Sequence, residues 1–91
     1  MKIRFEEDLI KKLGKIRKSN SLLFKKIDLA LGTFRENPRH ASLRLHKLSG
    51  TMKNSWSLSV GMGYRLIFVW IDDEAYFIDI GTHDEVYRKR S

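Results

Sequence analysis

The single proline of this sequence, Pro38, divides the chain into two segments with different hydrophobic periodicity. Before it, apolar residues recur every three or four positions, which is typical of amphipathic helices. After it, apolar and polar residues alternate, which is typical of strands with one buried face. A chain with two such segments is predicted to be α+β, with two layers and the helices packed on one face of a small sheet.

The first segment predicts a short strand followed by two helices. Residues 2–5 alternate between basic and apolar and indicate the strand. Apolar residues at three- and four-residue steps predict a helix over residues 6–18, with acidic residues in its first turn and basic residues in its last. A break around Asn20 offers an N-cap for a second helix, which should end near Glu36 because helices rarely continue up to a proline. Two helices with so short a connection should form a hairpin.

The second segment predicts an antiparallel meander. A basic strand is expected over residues 43–48, and residues 55–60 alternate between serines and large apolar residues, which indicates one dry and one wet face. Residues 64–71 are apolar on both faces except for Arg65, which suggests a central strand. Residues 75–80 complete the sheet. The face away from the helices should be partly open and lined by the polar residues of the strands.

Length and composition favour one domain over residues 1–91. The chain is 42% hydrophobic with a mean hydropathy of -0.40, which argues against a membrane protein. It has no cysteine, so disulfides and thiolate metal sites are excluded. The charged N-terminal residues lack the apolar stretch of a signal peptide. We therefore expect a cytoplasmic protein.

The charge of the chain is strongly positive. Eighteen Lys and Arg against 11 Asp and Glu give a net charge of +7. A small basic domain is a candidate for binding a polyanion, which could be nucleic acid, an acidic protein or an anionic membrane. Solubility alone is the plainer explanation. No segment is amphipathic enough to favour the membrane.

Three residues of the second segment are candidates for chemistry. Arg65 is the only charge in an apolar strand and must be either satisfied or used. It either reaches water or a carboxylate at a strand end, or clamps a phosphate or carboxylate with its fork of donors. His46 and His83 each lie at or just past a strand, where a histidine by itself is more often structural. Their spacing matches no metal motif, so we expect no metal.

Asp84 and Glu85 directly follow His83. A carboxylate at this position can orient a neighbouring imidazole. A solvated turn is the simpler interpretation, and we adopt it as the expectation.

Three stretches of the second segment resemble the RelE/ParE superfamily of bacterial type II toxins. They read "LRLHKLSG", "WSLSVGMGYRLIF" and "IGTHDEVYR". The predicted order of a short strand, a helix hairpin and a meander also agrees with that superfamily over nearly the whole chain. Within it, the sequence is most similar to the YafQ-like and RelE-like mRNA interferases. The resemblance implies a single RelE-like toxin domain.

The resemblance implies four catalytic residues. His46 and His83 match two histidines of YafQ-like toxins, and Arg65 and Tyr87 match an arginine and a tyrosine of RelE-like sites. The turn before the central strand reads "VGMGY" and lacks the histidine and aspartate that YafQ-like toxins carry there, so one proton-transfer or orienting role is unfilled. Further basic residues are expected to hold the RNA backbone: Arg44, Lys47, Lys53 and Arg88.

The implied activity is cleavage of mRNA without metal or cofactor, in which the 2'-OH of the RNA attacks the adjacent phosphate. Histidine titrates near neutral pH and can act as acid or base. His83 and His46 are expected to share these two roles in an order that the sequence leaves open. Arg65 would stabilise charge on the phosphoryl group. Tyr87 would orient the RNA or stack on a base.

The resemblance also implies partners. These are a cognate antitoxin protein, mRNA with the ribosome that carries it, and operator DNA reached through the antitoxin. Two alternatives stay open: a ParE-like inhibitor of DNA gyrase without nuclease activity, and a catalytically weak member that only binds antitoxin and operator. ParE-type chains lack the paired histidines, which favours the nuclease.

Overall fold

The computed structural model describes residues 2–48 and 54–90, with the side chains of the last helix described up to residue 86. A short 3₁₀ turn, Ala41–Leu43, precedes the second strand. The other elements of these ranges, in chain order, are β1 (Lys2–Phe5), α1 (Glu7–Ser19), α2 (Ser21–Glu36), β2 (His46–Lys47), β3 (Ser55–Gly61), β4 (Tyr64–Ile71), β5 (Glu74–Thr82) and α3 (His83–Arg90).

The first two helices form the predicted hairpin. The first turn of α1 is acidic and its last turn is basic, as the helix dipole favours. The side chain of Asn20 accepts a hydrogen bond from the backbone N–H of Leu23 at 3.1 Å and so caps α2. α2 ends at Glu36, two residues before Pro38. No helix in the described ranges combines the length and apolar character needed to cross a bilayer.

The strands form one sheet in the order β1-β5-β4-β3-β2. The strands from β2 to β5 pair antiparallel, as predicted. β1 instead runs parallel to β5, with Lys2 opposite Glu74 and Phe5 opposite Phe77, which corrects the expectation of a purely antiparallel sheet. No turn joins these two strands, so local sequence does not set the direction of their pairing.

The main core lies between the hairpin and the sheet. Phe34 of α2, Phe68 of β4 and Phe77 of β5 are fully buried in it. Their ring centroids lie 5.0 to 5.5 Å apart, and aromatic pairs at such distances contribute about 0.5–1.5 kcal/mol each beyond their buried area. This packing holds the hairpin on one face of the sheet, so the site must be sought on the other.

The other face of the sheet carries a smaller apolar cluster. Leu48, Ile67 of β4 and Val86 of α3 pack there and are nearly or fully buried. Ser55 and Ser57, expected on a wet face, are also fully buried. The expectation of a wet face is wrong at these two positions because α3 and Leu48 cover part of the sheet that a two-layer fold would leave open.

The strand predicted over residues 43–48 is shorter than expected. The 3₁₀ turn comes first, then Arg44 adopts a left-handed conformation with φ 45° and ψ 52°, and β2 contains two residues. Leu43 is only 2% exposed because it packs into the main core from the turn. The apolar residue that suggested a pleated strand is therefore an anchor for a turn.

Candidate active site

Arg65 is held against the sheet face opposite the helix hairpin. Its Nε donates to the Ser57 hydroxyl at 2.8 Å. Its Nη2 donates to the backbone carbonyl oxygens of Arg44 at 2.6 Å and of Ser57 at 3.3 Å. These three acceptors are uncharged, and they orient the guanidinium. The only charge of β4 is thus satisfied in part by the backbone and by a serine hydroxyl.

Arg44, whose carbonyl accepts a hydrogen bond from Arg65, has a strained backbone conformation. A left-handed conformation costs a non-glycine residue on the order of 1 kcal/mol. Both backbone groups of Arg44 are used, since its N–H donates to the Ala41 carbonyl at 3.2 Å and its carbonyl accepts from Arg65. Its side chain is exposed. The residue predicted to hold RNA with its side chain therefore also holds Arg65 with its main chain.

His46 lies beside the serine that holds Arg65. It is directly opposite Ser57 in the pairing of β2 with β3, and opposed residues of neighbouring strands share a face. Lys47 is opposite Trp56, and its Nζ lies 6.0 Å from the centre of a Trp56 ring. The structure therefore brings His46 to the face of Arg65 and places Lys47 on the face of the helix hairpin.

His83 is the first residue of α3, and its backbone is anchored to the β3–β4 turn. Its N–H donates to the Gly63 carbonyl at 3.0 Å. Its exposed imidazole has Nδ1 3.7 Å from a carboxylate oxygen of Asp84, which is also exposed. An ion pair in such an exposed position contributes little to stability. The hydrogen bond to Gly63 fixes the backbone of His83.

Glu85 has a structural role, although the sequence favoured a solvated turn at this position. Its carboxylate accepts from the Thr82 backbone N–H at 2.9 Å, and its own N–H donates to the Thr82 hydroxyl at 3.3 Å. This reciprocal pair is a capping box at the start of α3. The expected solvated turn is therefore wrong for Glu85, which helps to begin the helix that carries His83.

The order of the strands places Arg65 between the two histidines. β4 lies between β5, which leads into His83, and β3, which pairs with the strand of His46. Gly81 is directly opposite Arg65 and two positions before His83. The strands of His46 and His83 are three spacings apart, about 14 Å. The guanidinium of Arg65 reaches across β3 to Arg44 and so occupies part of this interval.

The structure does not describe the side chains of three predicted site residues. Lys53 lies outside the described residues. Tyr87 and Arg88 belong to α3, whose backbone alone is described at these positions. After the last strand the chain continues as a helix that begins at His83. In the described ranges, no group of three or more histidine or acidic side chains is arranged to hold a metal ion.

Two features of the site were missed from the sequence. The order Thr82-x-x-Glu85 is the pattern of a capping box and would have predicted the start of α3. The role of Ser57 has no such signal, because it depends on a side chain that crosses between strands and on the conformation of Arg44.

Comparison with solved structures gives a fold in common. The YoeB/ParE toxin from Agrobacterium tumefaciens has a TM-score of 0.77 at 15% identity, over 91% of this chain and 99% of that one. YafQ from E. coli strain BL21(DE3) has a TM-score of 0.74 at 20% identity, over 93% and 96%. The YoeB-YefM complex from Staphylococcus aureus contains a chain with a TM-score of 0.74 at 18% identity, over 91% and 97%. Comparisons of the sequence with protein families and with curated proteins give no match.

The described architecture is therefore the fold of the YoeB, ParE and YafQ toxins. The resemblance to the RelE/ParE superfamily, with YafQ-like neighbours, is confirmed at the level of the fold. At this level of identity the likeness does not say which side chains act. The assignment of residues rests on the geometry around Arg65.

Proposed function

We propose that this protein is the toxin of a bacterial type II toxin–antitoxin pair and that it is an endoribonuclease that cleaves mRNA. The observation that carries the proposal is the placement of Arg65. Its guanidinium is oriented by Ser57 and the Arg44 carbonyl on the sheet face opposite the hairpin. Its strand lies between β5, which leads into His83, and β3, which pairs with the strand of His46. A guanidinium flanked by two groups able to transfer protons suits a phosphodiester.

The reaction follows from the chemistry of RNA. A base removes the proton of a 2'-OH, and that oxygen attacks the adjacent phosphorus. The bond from phosphorus to the 5'-oxygen breaks, and an acid donates a proton to that oxygen. The products are a 2',3'-cyclic phosphate and a 5'-OH end, so atoms and charge balance without a co-reactant. DNA lacks the attacking group and is not a substrate.

Each side chain has a distinct part in this reaction. Arg65 donates to the nonbridging oxygens, whose negative charge grows in the transition state. His46 and His83 exchange the two protons. Tyr87 orients the RNA or stacks on a base. The backbone of the RNA on either side is held by basic residues: Arg44, Lys53 and Arg88. Lys47 lies on the face of the helix hairpin and contributes less to this binding.

An antitoxin is the proposed protein partner. The solved structures of similar fold include the YoeB-YefM complex from Staphylococcus aureus and a DinJ-YafQ toxin-antitoxin complex from E. coli. The +7 charge of this chain suits a partner with an acidic toxin-binding segment, because opposite charge speeds association. Operator DNA would be reached through that partner.

Purified protein given ribosome-bound and free mRNA tests the nuclease. Cleavage should leave 2',3'-cyclic phosphate ends. Arg65→Ala and His83→Ala should lower the rate by at least about a hundredfold, as loss of a transition-state contact or of proton transfer does. Equal cleavage by the wild type and both variants, with melting temperatures unchanged, would exclude this site.

The same preparation separates the other functions that the fold allows. Inhibition of DNA gyrase supercoiling without RNA cleavage would indicate a ParE-like binder. Growth that continues on induced expression, together with binding to antitoxin and operator, would indicate a catalytically weak member. Growth arrest accompanied by mRNA cleavage supports the nuclease function and neither of the other two.

A further inference from the structure

We propose that Ser57 and the backbone carbonyl of Arg44 are positioning groups that aim Arg65 at the scissile phosphate. This rests on the proposed function. In this role neither group contacts the RNA. Each acts on the direction in which the guanidinium points, and so on how well Arg65 meets charge that develops in the transition state.

The geometry supports this because the two contacts use one edge of the guanidinium. Nε and Nη2 lie on the same side of the planar group, and they donate to the Ser57 hydroxyl at 2.8 Å and to the Arg44 carbonyl at 2.6 Å. Two contacts on one edge prevent rotation about the last bond of the side chain. The direction of the other edge, formed by Nη1 and Nη2, is thereby set.

Both acceptors are themselves held in place, Ser57 by its own burial and Arg44 by its neighbours. Ser57 is fully buried in the middle of β3, between β2 and β4. Arg44 is exposed, but it directly follows Leu43, which packs into the main core, and its N–H is bonded back to Ala41. A strained conformation persists only where the surroundings enforce it. The left-handed backbone at Arg44 is therefore a sign that its carbonyl is held in place.

A positioning role predicts a particular kinetic result. Loss of the Ser57 hydroxyl should lower kcat by about 10- to 100-fold, the worth of a hydrogen bond to a charged group. KM should change less than about threefold, because charge on the phosphate in the ground state is met by other basic residues. Ser55→Ala is the matched control. Ser55 is an equally buried serine of the same strand, and it lies opposite Val69, whereas Ser57 lies opposite Ile67 and accepts from Arg65.

A double-mutant cycle distinguishes positioning from packing. A lysine has no fork of donors and cannot repeat both contacts. In the Arg65→Lys background, Ser57→Ala should therefore change kcat by less than about threefold. Equal losses with Arg65 and with lysine at this position would overturn the proposal, as would equal losses in Ser57→Ala and Ser55→Ala.

A second readout does not depend on activity. The Nε–H resonance of Arg65, assigned by its absence in Arg65→Lys, should exchange slowly with water in the wild type and at least about tenfold faster in Ser57→Ala. Unchanged exchange overturns the positioning role whether or not RNA is cleaved. Faster exchange in a protein that cleaves no RNA would support the Arg65–Ser57 link while refuting the proposed function.

Discussion

Thr82 and Glu85 hold each other across the first turn of α3, with a hydrogen bond in each direction. His83 lies between them in the chain, and its own N–H is bonded to Gly63. The start of the helix, the end of β5 and the β3–β4 turn thus meet at one residue. The backbone of a surface histidine is thus held by hydrogen bonds of its own N–H and of its two neighbours in the cap.

The capping box should be measurable in the stability of the protein. Thr82→Ala removes the hydroxyl and should lower the free energy of unfolding by about 1 kcal/mol, which is about 4–8 °C in melting temperature. Thr82→Ser retains the hydroxyl and should melt close to the wild type. Equal losses in both variants would show that the methyl group, and not the cap, matters. Thermal unfolding followed by circular dichroism makes the comparison.

The roles of the two histidines should separate on a substrate with a better leaving group. An RNA with sulfur in place of the bridging 5'-oxygen expels a thiolate that needs no proton from an acid. The alanine variant of the general acid should recover most of its lost rate on this substrate, whereas the variant of the base should not. The measurement is the single-turnover rate of His46→Ala and His83→Ala on both RNAs. Equal recovery in both would refute a division of roles.

The apolar cluster under α3 should couple the last helix to the sheet. Val86→Ala removes two buried methyl-sized groups and should lower the free energy of unfolding by about 2 kcal/mol. The backbone amides of β4 around Ile67 should then exchange faster, because α3 covers this face. Ile10→Ala is a matched control from the exposed surface of α1 and should change stability by less than about 0.5 kcal/mol. Exchange that is the same in both variants would show that α3 does not protect the sheet.

Arg44 and Lys47 should differ in how they affect RNA affinity. Arg44 is next to the site, whereas Lys47 lies with Trp56 on the face of the helix hairpin. Arg44→Ala should reduce the salt dependence of binding to single-stranded RNA by about 0.7 in the log–log slope, one phosphate contact, and Lys47→Ala by less. Fluorescence anisotropy with RNA methylated at the scissile 2'-OH, at several salt concentrations, measures both. A larger change for Lys47 would place RNA on the hairpin face.

The parts of the fold that were predicted correctly depend on neighbours in the chain. Pro38 ends the helical half, Asn20 caps α2, and the serine alternation defines β3, each by an effect that extends over a few residues. The parallel pairing of Lys2 with Glu74 is different, because it joins strands with no shared turn. Burial of Ser57 also escaped prediction, since it follows from α3 and Leu48 packing on that face.

The same division holds within the site. Arg65 stands out in the sequence as the one charge in an apolar strand, and the structure shows that charge held by specific acceptors. The acceptors that hold Arg65 could not be predicted from the sequence. The acceptor at Arg44 requires a left-handed backbone at a residue that is not glycine, and such a conformation arises from tertiary constraint.

The parallel pairing of β1 with β5 bears on how the chain folds. β1 is the first strand and β5 the last, so β1 pairs with residues about 70 positions later in the chain. Closing a loop of that length costs about 4 kcal/mol of conformational entropy. Such contacts of high sequence separation slow folding. β5 also leads directly into His83. β5 pairs with β1 on one side and with β4 on the other, and it also positions His83. The complete site should therefore form only at the end of folding.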